Sequence, residues 1–432
     1  MTELERESEA PPSRTPDLPA SARLGGSLAL PGSAFESPRM IPKRRQLASL
    51  TSVRFFAAFW VVVYHQSHAD GLLASALAAS PKFLANVAQT GYSAVGMFFV
   101  LSGFILAYTY RGEFRVSDFW SARIARIYPV YLLGLALVAP PILGKLVLHL
   151  ASWHELIYGA ASLLLVQAWH PVAALTWNDP GWSLSAEAFF YLMFPLLLIP
   201  LRNLRRPALI VGMGIVWCII LIVPLACFML HVHDFNGIAA TDLPTGWWCN
   251  VLKFNPLIRL PEFVFGVMLG RLFILRAASI EESRPSGWKL YLPAIVALLI
   301  IYGILSPQLP YLFVHNNAFI VCNALLLYGL ARGGGIIDHW LSHPWLIRLG
   351  EASYAIYLLH APIDDWMIRI DKKTLHLAHT HPVLLFALYS ITVIIISLAV
   401  FQWVEEPARR YLRRKLTATP THPASEPVAA LS

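Results

Sequence analysis

Four ionisable side chains lie in segments that are otherwise apolar, and their types are those that could do chemistry. Arg54 and His65 lie in the first apolar segment, and Glu187 and His360 each lie in a later one. An ionisable residue inside a membrane segment is costly, so it indicates a functional site by default. Histidine and glutamate transfer protons, and the planar guanidinium of arginine binds phosphate groups. The residue types therefore indicate acid–base chemistry near an anion-binding group.

The depths of these residues follow from the predicted helices. At about 1.5 Å of rise per residue, His65 lies roughly 24 Å from the inner face of the membrane and His360 roughly 22 Å. Glu187 enters from the outside and lies about 8 Å below that surface, at a similar depth. Taken singly, each residue also fits a packing role. The shared depth favours a site in the outer half of the bilayer.

Three arginines are expected at the cytoplasmic mouth of the same helices. Arg54 lies roughly 8 Å from the inner face, about three turns below His65 on one helix face. Arg123 and Arg126 lie at the same mouth. For topology alone they are ordinary positive-inside residues. A group of arginines far below a titratable site also suits an acyl-CoA lying lengthwise, with its phosphates on the arginines and its thioester at the histidine.

The elements that must position these residues are apolar segments of about the length that crosses a bilayer. They span 49–67, 91–110, 127–148, 155–170, 182–201, 207–230, 257–276, 288–306, 312–331, 345–366 and 381–404. Basic loops fall on one side only if the short segment 155–170 does not cross. One basic loop, which contains Arg369, Lys372 and Lys373, falls on the opposite side of the membrane from the others. The prediction is an all-α polytopic membrane protein, a bundle of about ten transmembrane helices with both termini cytoplasmic.

The composition agrees with this class and excludes others. The chain is 57% hydrophobic and 13% charged, whereas soluble domains are about 25% charged. The net charge of +8 is explained by basic loops, so it does not predict a nucleic-acid partner. The four cysteines show no spacing typical of metal ligands, so neither a metal site nor a disulfide framework is expected.

Three regions can be distinguished along the chain. Residues 1–45 are rich in Pro, Ser, Glu and Arg, and we expect a disordered cytoplasmic tail without a signal peptide. Residues 46–408 form the transmembrane domain. Residues 409–432 are expected to be a cytoplasmic tail that is first basic and then disordered.

Six blocks of sequence, from about Leu50 to Pro407, resemble the acyltransferase-3 family. Arg54 and His65 are similar to the signature of that family's first helix. The other blocks are Gly91-Tyr92 with Phe98 to Phe104, Phe119-Trp120 with Arg123, Arg126, Ile127, Pro129 and Tyr131, Trp182-Ser183-Leu184 with Glu187 and Phe190-Tyr191-Leu192, Ser353-Tyr354 with Tyr357-Leu358 and His360, and Glu406-Pro407. Each block alone is weak, but their occurrence in order is a strong signal.

The resemblance implies a multi-pass protein of the bacterial cytoplasmic (inner) membrane with ten helices. It implies acyl-CoA as donor, with acetyl-CoA favoured, and O-acylation of a carbohydrate, glycolipid or other envelope acceptor. It also implies that the position of His65 is catalytic and that Arg54 supports donor binding. Some relatives carry a second, soluble acyl-transfer domain. Here we expect the membrane domain to complete the chemistry or to pass the group to a separate protein, such as one of envelope polysaccharide assembly.

Direct transfer is the mechanism that these residues favour. His65 acts as general base on the acceptor hydroxyl, Glu187 orients the imidazole or holds the sugar, and His360 is a second acid or base. The three arginines bind the CoA phosphates.

Other readings of the same residues remain open. One is a covalent acyl-enzyme on Ser102 or His65. Another is a transporter or flippase of lipid-linked sugars or acyl groups, although no inverted sequence repeat is visible. A third is a scaffold for envelope polysaccharide assembly, which leaves the layer of ionisable residues without a purpose.

Overall fold

A computed structural model describes residues 47–68, 70–112, 114–149, 152–230, 239–242, 246–277 and 287–417. The predicted tail 1–45, and the predicted C-terminal tail from 418 onward, lie outside the described residues. The described residues form helices joined by turns, which confirms the all-α class. The basic start of the predicted C-terminal tail is part of a helix, Glu406–Thr417.

Ten long helical segments correspond to the ten predicted crossings. In chain order they are α1 (Ala48–His65), α2 (Gly91–Thr109), α3 (Val116–Val147), α4 (Gly181–Leu201), α5 (Arg206–Met229), α6 (Pro256–Ala277), α7 (Trp288–Gln308), α8 (Tyr311–Arg332), α9 (Ser353–Asp371) and α10 (Pro382–Tyr411). A π-helical turn interrupts α7 at Ile301–Leu305 and α10 at Phe401–Glu405. Helix α8 is broken after His315.

Eight of these segments are long and apolar enough to cross a membrane. The chain is therefore a polytopic membrane protein. The other two, α6 and α9, have 22 and 19 residues, which matches the length of about 20 residues that a crossing needs. Each carries several ionisable side chains, and among these Arg259, Glu262 and His360 are buried. The count of ten crossings and the side of each terminus stay predictions.

Two segments differ in detail from the sequence pattern. The segment 155–170 forms the helix His154–Leu163 of 10 residues, about 15 Å long and too short to cross. The segment 345–366 is two helices, since Pro344–Glu351 ends before α9 begins at Ser353. The remaining short helices are Ala74–Ala78, Lys82–Gln89, Trp247–Phe254, Ile336–Leu341 and Leu377–Thr380.

Helices α2 and α6 approach each other so closely that only glycine fits at the contact. A Cβ atom on Gly266 would lie 2.1 Å from the carbonyl oxygen of Val100, and one on Gly103 would lie 2.2 Å from that of Phe263. Small residues allow helix backbones to come together in membranes, where lipid offers no hydrophobic drive for association. The glycines at this contact therefore let the backbones of α2 and α6 touch.

Aromatic rings tie α4 to this pair of helices. The ring of Phe190 lies edge-on to Phe99 of α2 and stacked on Phe263 of α6, each with a centroid distance of 5.1 Å. All three side chains are buried. Such pairs add to the burial of apolar area, so α2, α4 and α6 form one packed unit that holds one wall of the site.

Candidate active site

His65 and His360 are brought together, as the sequence predicts. Their ring centroids are 5.0 Å apart, with His65 at the end of α1 and His360 on α9. The Nδ1 atom of His360 lies 2.7 Å from the carbonyl oxygen of Tyr357. A carbonyl can only accept a hydrogen bond, so Nδ1 carries the proton and Nε2 presents a lone pair. That Nε2 is buried and has no hydrogen-bond partner within the described residues.

Tyr357 and Ser183 join α9 to the start of α4 directly beneath the histidines. Their hydroxyl oxygens are 2.8 Å apart, and the Tyr357 hydroxyl lies 3.3 Å from the carbonyl oxygen of Pro180. Tyr357 lies three residues before His360 on α9, so this contact is one helical turn from the imidazole. These two hydroxyls also line a cavity that extends away from the histidines.

The cavity has a volume of about 250 Å³ and contains all three predicted donor-binding arginines. Its polar lining consists of Thr51, Arg54, Ser102, Arg123, Arg126, Ser183, Glu187, Tyr191, Ser353, Tyr354 and Tyr357. Arg54 lies eleven residues before His65 on α1, a rise of about 16 Å. The cavity therefore runs from an arginine end toward the histidine pair.

Glu187 lies at the arginine end of the cavity and not beside His65. Its carboxylate accepts a hydrogen bond from the Ser102 hydroxyl at 3.0 Å and another from the Tyr191 hydroxyl. Its charge acts on Arg54 and Arg126. The expected role of orienting the imidazole therefore does not match this geometry, and the carboxylate is placed to balance the arginines.

The predicted alignment of Glu187 with the two histidines does not match its contacts, because the chain before α4 packs inside the bundle. The preceding chain folds into the bundle through two short 3-10 turns, Gln167–Trp169 and Ala173–Leu175. Gln167 and Asn178 are 1% and 3% exposed, and the Asn178 amide donates to the carbonyl oxygen of Leu358 at 3.1 Å. A count of residues that starts from a membrane surface at the beginning of α4 therefore does not predict the partners of Glu187.

The arginine end keeps an excess of positive charge among its neighbours. Arg54 and Arg126 face the carboxylates of Glu187 and Glu405. The guanidinium of Arg123 instead lies over aromatic rings, 5.7 Å from the centroid of Tyr191. Glu405 is 3% exposed and escapes sequence reasoning, because it lies in the π-helical turn of α10. Three guanidinium groups against two carboxylates leave this end suited to an anion.

Asp179 is a second carboxylate that sequence reasoning misses. It lies in the loop before α4, within electrostatic range of His65 and Lys253. Burial raises the pKa of the Asp179 carboxyl, and the two cationic partners oppose that shift. Trp177, two residues earlier, has a left-handed φ of 63°, a conformation that costs energy unless its surroundings hold it. The only sequence signal is Asn178-Asp179-Pro180, which is typical of any turn.

The chain belongs to the acyltransferase-3 family. The family model, described as an acyltransferase domain, matches residues 47–402. The protein is therefore a multi-pass membrane O-acyltransferase of that family.

Two relatives illustrate the range of the family. The chain is 31% identical to the acyltransferase MdmB of Streptomyces mycarofaciens, over 91% of this chain and 100% of the relative. It is 25% identical to the peptidoglycan O-acetyltransferase OatA of Listeria monocytogenes, over 85% of this chain and 56% of the relative. The chain thus spans the whole of the first relative and about half of the second. No solved structure matches the chain significantly.

Proposed function

We propose that this protein transfers an acetyl group from acetyl-CoA to a hydroxyl of a carbohydrate or other envelope acceptor. The observation that carries the proposal is that one cavity is lined by Arg54, Arg123 and Arg126 as well as by Ser183 and Tyr357. Tyr357 lies one helical turn from His360, whose ring lies against His65. Anion-binding and proton-transferring groups are thus joined by one passage.

The size of the cavity favours the linear arm of the donor. Pockets that enclose a whole drug-sized ligand measure about 300–1,000 Å³, whereas this one is about 250 Å³. The nucleotide of the donor therefore stays at the mouth, where guanidinium groups bind its phosphates. The arm then carries the thioester along the rise of about 16 Å from Arg54 to His65.

The histidine pair supplies a base for the acceptor. The lone pair on His360 Nε2, or that of His65, takes the proton of the acceptor hydroxyl as its oxygen attacks the thioester carbonyl. The bond between carbonyl carbon and sulfur breaks, and the imidazolium returns the proton to the leaving thiolate. The products are an ester and CoA with a free thiol, and Arg54, Arg123 and Arg126 hold the donor throughout.

The assignment of the acyl group and of the acceptor is based on the names of the relatives. OatA is named a peptidoglycan O-acetyltransferase, which supports acetyl as the acyl group and the envelope as the place of the acceptor. We place the protein in the bacterial cytoplasmic membrane, with both termini cytoplasmic, so that the arginine end faces the pool of acyl-CoA. Proteins of envelope polysaccharide assembly are the partners that fit this location.

A donor-only experiment in nanodiscs tests the proposal. Acetyl-CoA binding is measured by calorimetry, and slow thioester hydrolysis is measured by release of free thiol, for the wild type, Arg54→Ala and His65→Ala. We expect Arg54→Ala to weaken binding and His65→Ala to bind acetyl-CoA without turnover. A wild type that binds no acyl-CoA would remove the donor assignment and favour a carrier of lipid-linked sugars. A labelled acetyl group trapped on the protein would instead favour an acyl-enzyme, for which Ser102 beside Glu187 is placed.

A further inference from the structure

The C-terminal end of α1 lies near the middle of α9, and the residues that follow the two histidines lie on the side away from the arginines. Gln66 directly follows His65, and Asp364 lies one helical turn after His360. The side-chain amide of Gln66 lies close enough to Asp364 to act on its carboxyl group. Its Oε1 atom accepts from the backbone N–H of Leu72 at 3.1 Å. The amide is thereby oriented, with its NH₂ group left to face Asp364.

Two hydrogen-bond acceptors at this place have no partner within the described part of the chain. They are Oδ1 of Asp364 and Nε2 of His360, and both atoms are buried. The His360 side chain is 1% exposed. Buried polar atoms are nearly always paired, and leaving one unpaired costs roughly 1–3 kcal/mol. Both atoms require a donor, so a ligand that satisfies them carries O–H or N–H groups.

We propose that Asp364 and Gln66 form a subsite that binds a second hydroxyl of the acceptor. The reacting hydroxyl donates to the histidine pair, while a neighbouring hydroxyl of the same molecule donates to Asp364. Residues four apart on a helix have Cβ atoms about 5–6 Å apart, so the two acceptors suit hydroxyls on one sugar ring. This inference rests on the proposed function and adds the class of acceptor, an uncharged polyhydroxyl compound.

The exposure and the charge of the side chains around Asp364 agree with an uncharged polyhydroxyl acceptor. His65 and Asp364 are partly exposed, whereas His360 and Gln66 are buried. An acceptor can therefore approach from the side opposite the arginine end of α1. A phosphate or carboxylate on the acceptor would face the carboxylate of Asp364 at close range, which costs energy. A neutral hydroxyl meets no such penalty.

The neighbouring residue offers a matched control. Asp365 carries the same group, but its side chain is 62% exposed and pairs with Arg369 at 3.8 Å on the helix surface. Asp364→Asn and Asp365→Asn thus make the same chemical change at adjacent positions, and only the first changes the subsite. The full-length chain in nanodiscs is supplied with acetyl-CoA and increasing methyl α-D-glucopyranoside. Thiol release and acetylated glycoside are measured together.

We expect Asp364→Asn to raise the half-saturating glycoside concentration roughly 10- to 100-fold, because a hydrogen bond to a charged group is lost. Asp365→Asn is expected to match the wild type. Acetyl-CoA binding by calorimetry reports whether each variant is folded. Gln66→Met removes the amide at similar volume, and should raise the same glycoside concentration by a smaller factor.

Three results would overturn the subsite. The first is an unchanged half-saturating concentration in Asp364→Asn. The second is loss of acetyl-CoA binding in both Asp364→Asn and Gln66→Met, which would place these residues in the fold or the donor site. The third is a wild type that hydrolyses acetyl-CoA but never acetylates the glycoside, which would exclude this acceptor class. A wild type that neither binds nor hydrolyses acetyl-CoA would instead reject the proposed function itself.

Discussion

The imidazole rings of His65 and His360 lie 5.0 Å apart between centroids, with their planes tilted by 50°. The backbone carbonyl of Tyr357 holds the proton of His360 on Nδ1, so Nε2 is the ring nitrogen that can take a proton. In the proposed mechanism, the two imidazoles act on the proton of one acceptor hydroxyl. Their contributions to the rate should therefore depend on each other.

The first prediction concerns this dependence. Replacing either histidine by alanine should lower acyl transfer by about 10²- to 10⁴-fold, which is typical of a positioned acid or base. The double variant should be little slower than the slower single variant, because groups that act as a unit are not additive. Thiol release from acetyl-CoA measures all three variants. His379→Ala changes an exposed histidine and should keep the wild-type rate, whereas additive losses would contradict a shared proton.

The second prediction follows from the position of Glu187 among arginines. Glu187→Gln removes one of the two carboxylates whose charge acts on Arg54 and Arg126, and a positive charge away from water is destabilising when less of it is compensated. The ligand-free variant should therefore unfold at a lower temperature than the wild type. Saturating acetyl-CoA should recover part of the loss, because its phosphates supply negative charge to the same arginines.

Thermal unfolding with and without acetyl-CoA checks this expectation. Asp365→Asn removes an exposed carboxylate and should change neither curve. An equal loss of stability in the presence and absence of acetyl-CoA would show that Glu187 and the donor do not share the arginines.

The pairing of His65 with His360 can be predicted because both lie on helices whose direction follows from hydropathy and loop charge. The side chains that contact Glu187 cannot be predicted in this way. The chain before α4 enters the bundle through short 3-10 turns, which have no apolar periodicity, so a count of residues along the chain does not predict which side chains Glu187 meets. Asp179 is missed for the same reason, since it lies at the end of that segment.

Glu405 shows a different limit of sequence reasoning. Glu406 belongs to the motif that resembles the family, but it forms ion pairs with Arg409 and Arg410 on its own helix. Its neighbour Glu405 faces Arg54 and Arg126. A π-helical turn changes the angular spacing of residues, so the face that each glutamate occupies does not follow from a regular helical period.

The third prediction concerns Asp179 and pH. Burial raises the pKa of its carboxyl above the ordinary value, so the folded state binds this proton more tightly than the unfolded state does. Such a group contributes stability below its unfolded pKa, and loses that contribution as pH rises through the folded pKa. Asp179→Asn removes the cost of the buried charge. It should therefore unfold at or above the wild-type temperature at neutral pH, with a difference that disappears in acid.

The rate of acetyl transfer should fall in this variant, although its unfolding temperature does not. A carboxylate near an imidazole stabilises the imidazolium that forms when histidine takes a proton, so Asp179→Asn should transfer acetyl more slowly at neutral pH. Thermal unfolding and thiol release, both measured across pH, check the two halves together. A variant that is less stable at neutral pH, or as active as the wild type, would contradict this account of Asp179.

The fourth prediction concerns the contact between α2 and α6. A Cβ atom on Gly266 would lie 2.1 Å from the carbonyl oxygen of Val100, and backbone cannot move aside as a flexible side chain can. Gly266→Ala should therefore push the helices apart and destabilise the protein by about 1–3 kcal/mol or more. Since α2 carries Phe98 and Ser102 of the cavity lining, acetyl-CoA should also bind more weakly.

Gly144 provides the control for this change. It lies in α3, and a Cβ atom there meets no heavy atom within 4 Å. Alanine favours a helix over glycine by about 1 kcal/mol, so Gly144→Ala should be neutral or slightly stabilising. Thermal unfolding in nanodiscs and acetyl-CoA calorimetry compare the two variants. If Gly266→Ala unfolds at the same temperature as Gly144→Ala and binds acetyl-CoA equally well, the tight contact does not hold the wall of the cavity in place.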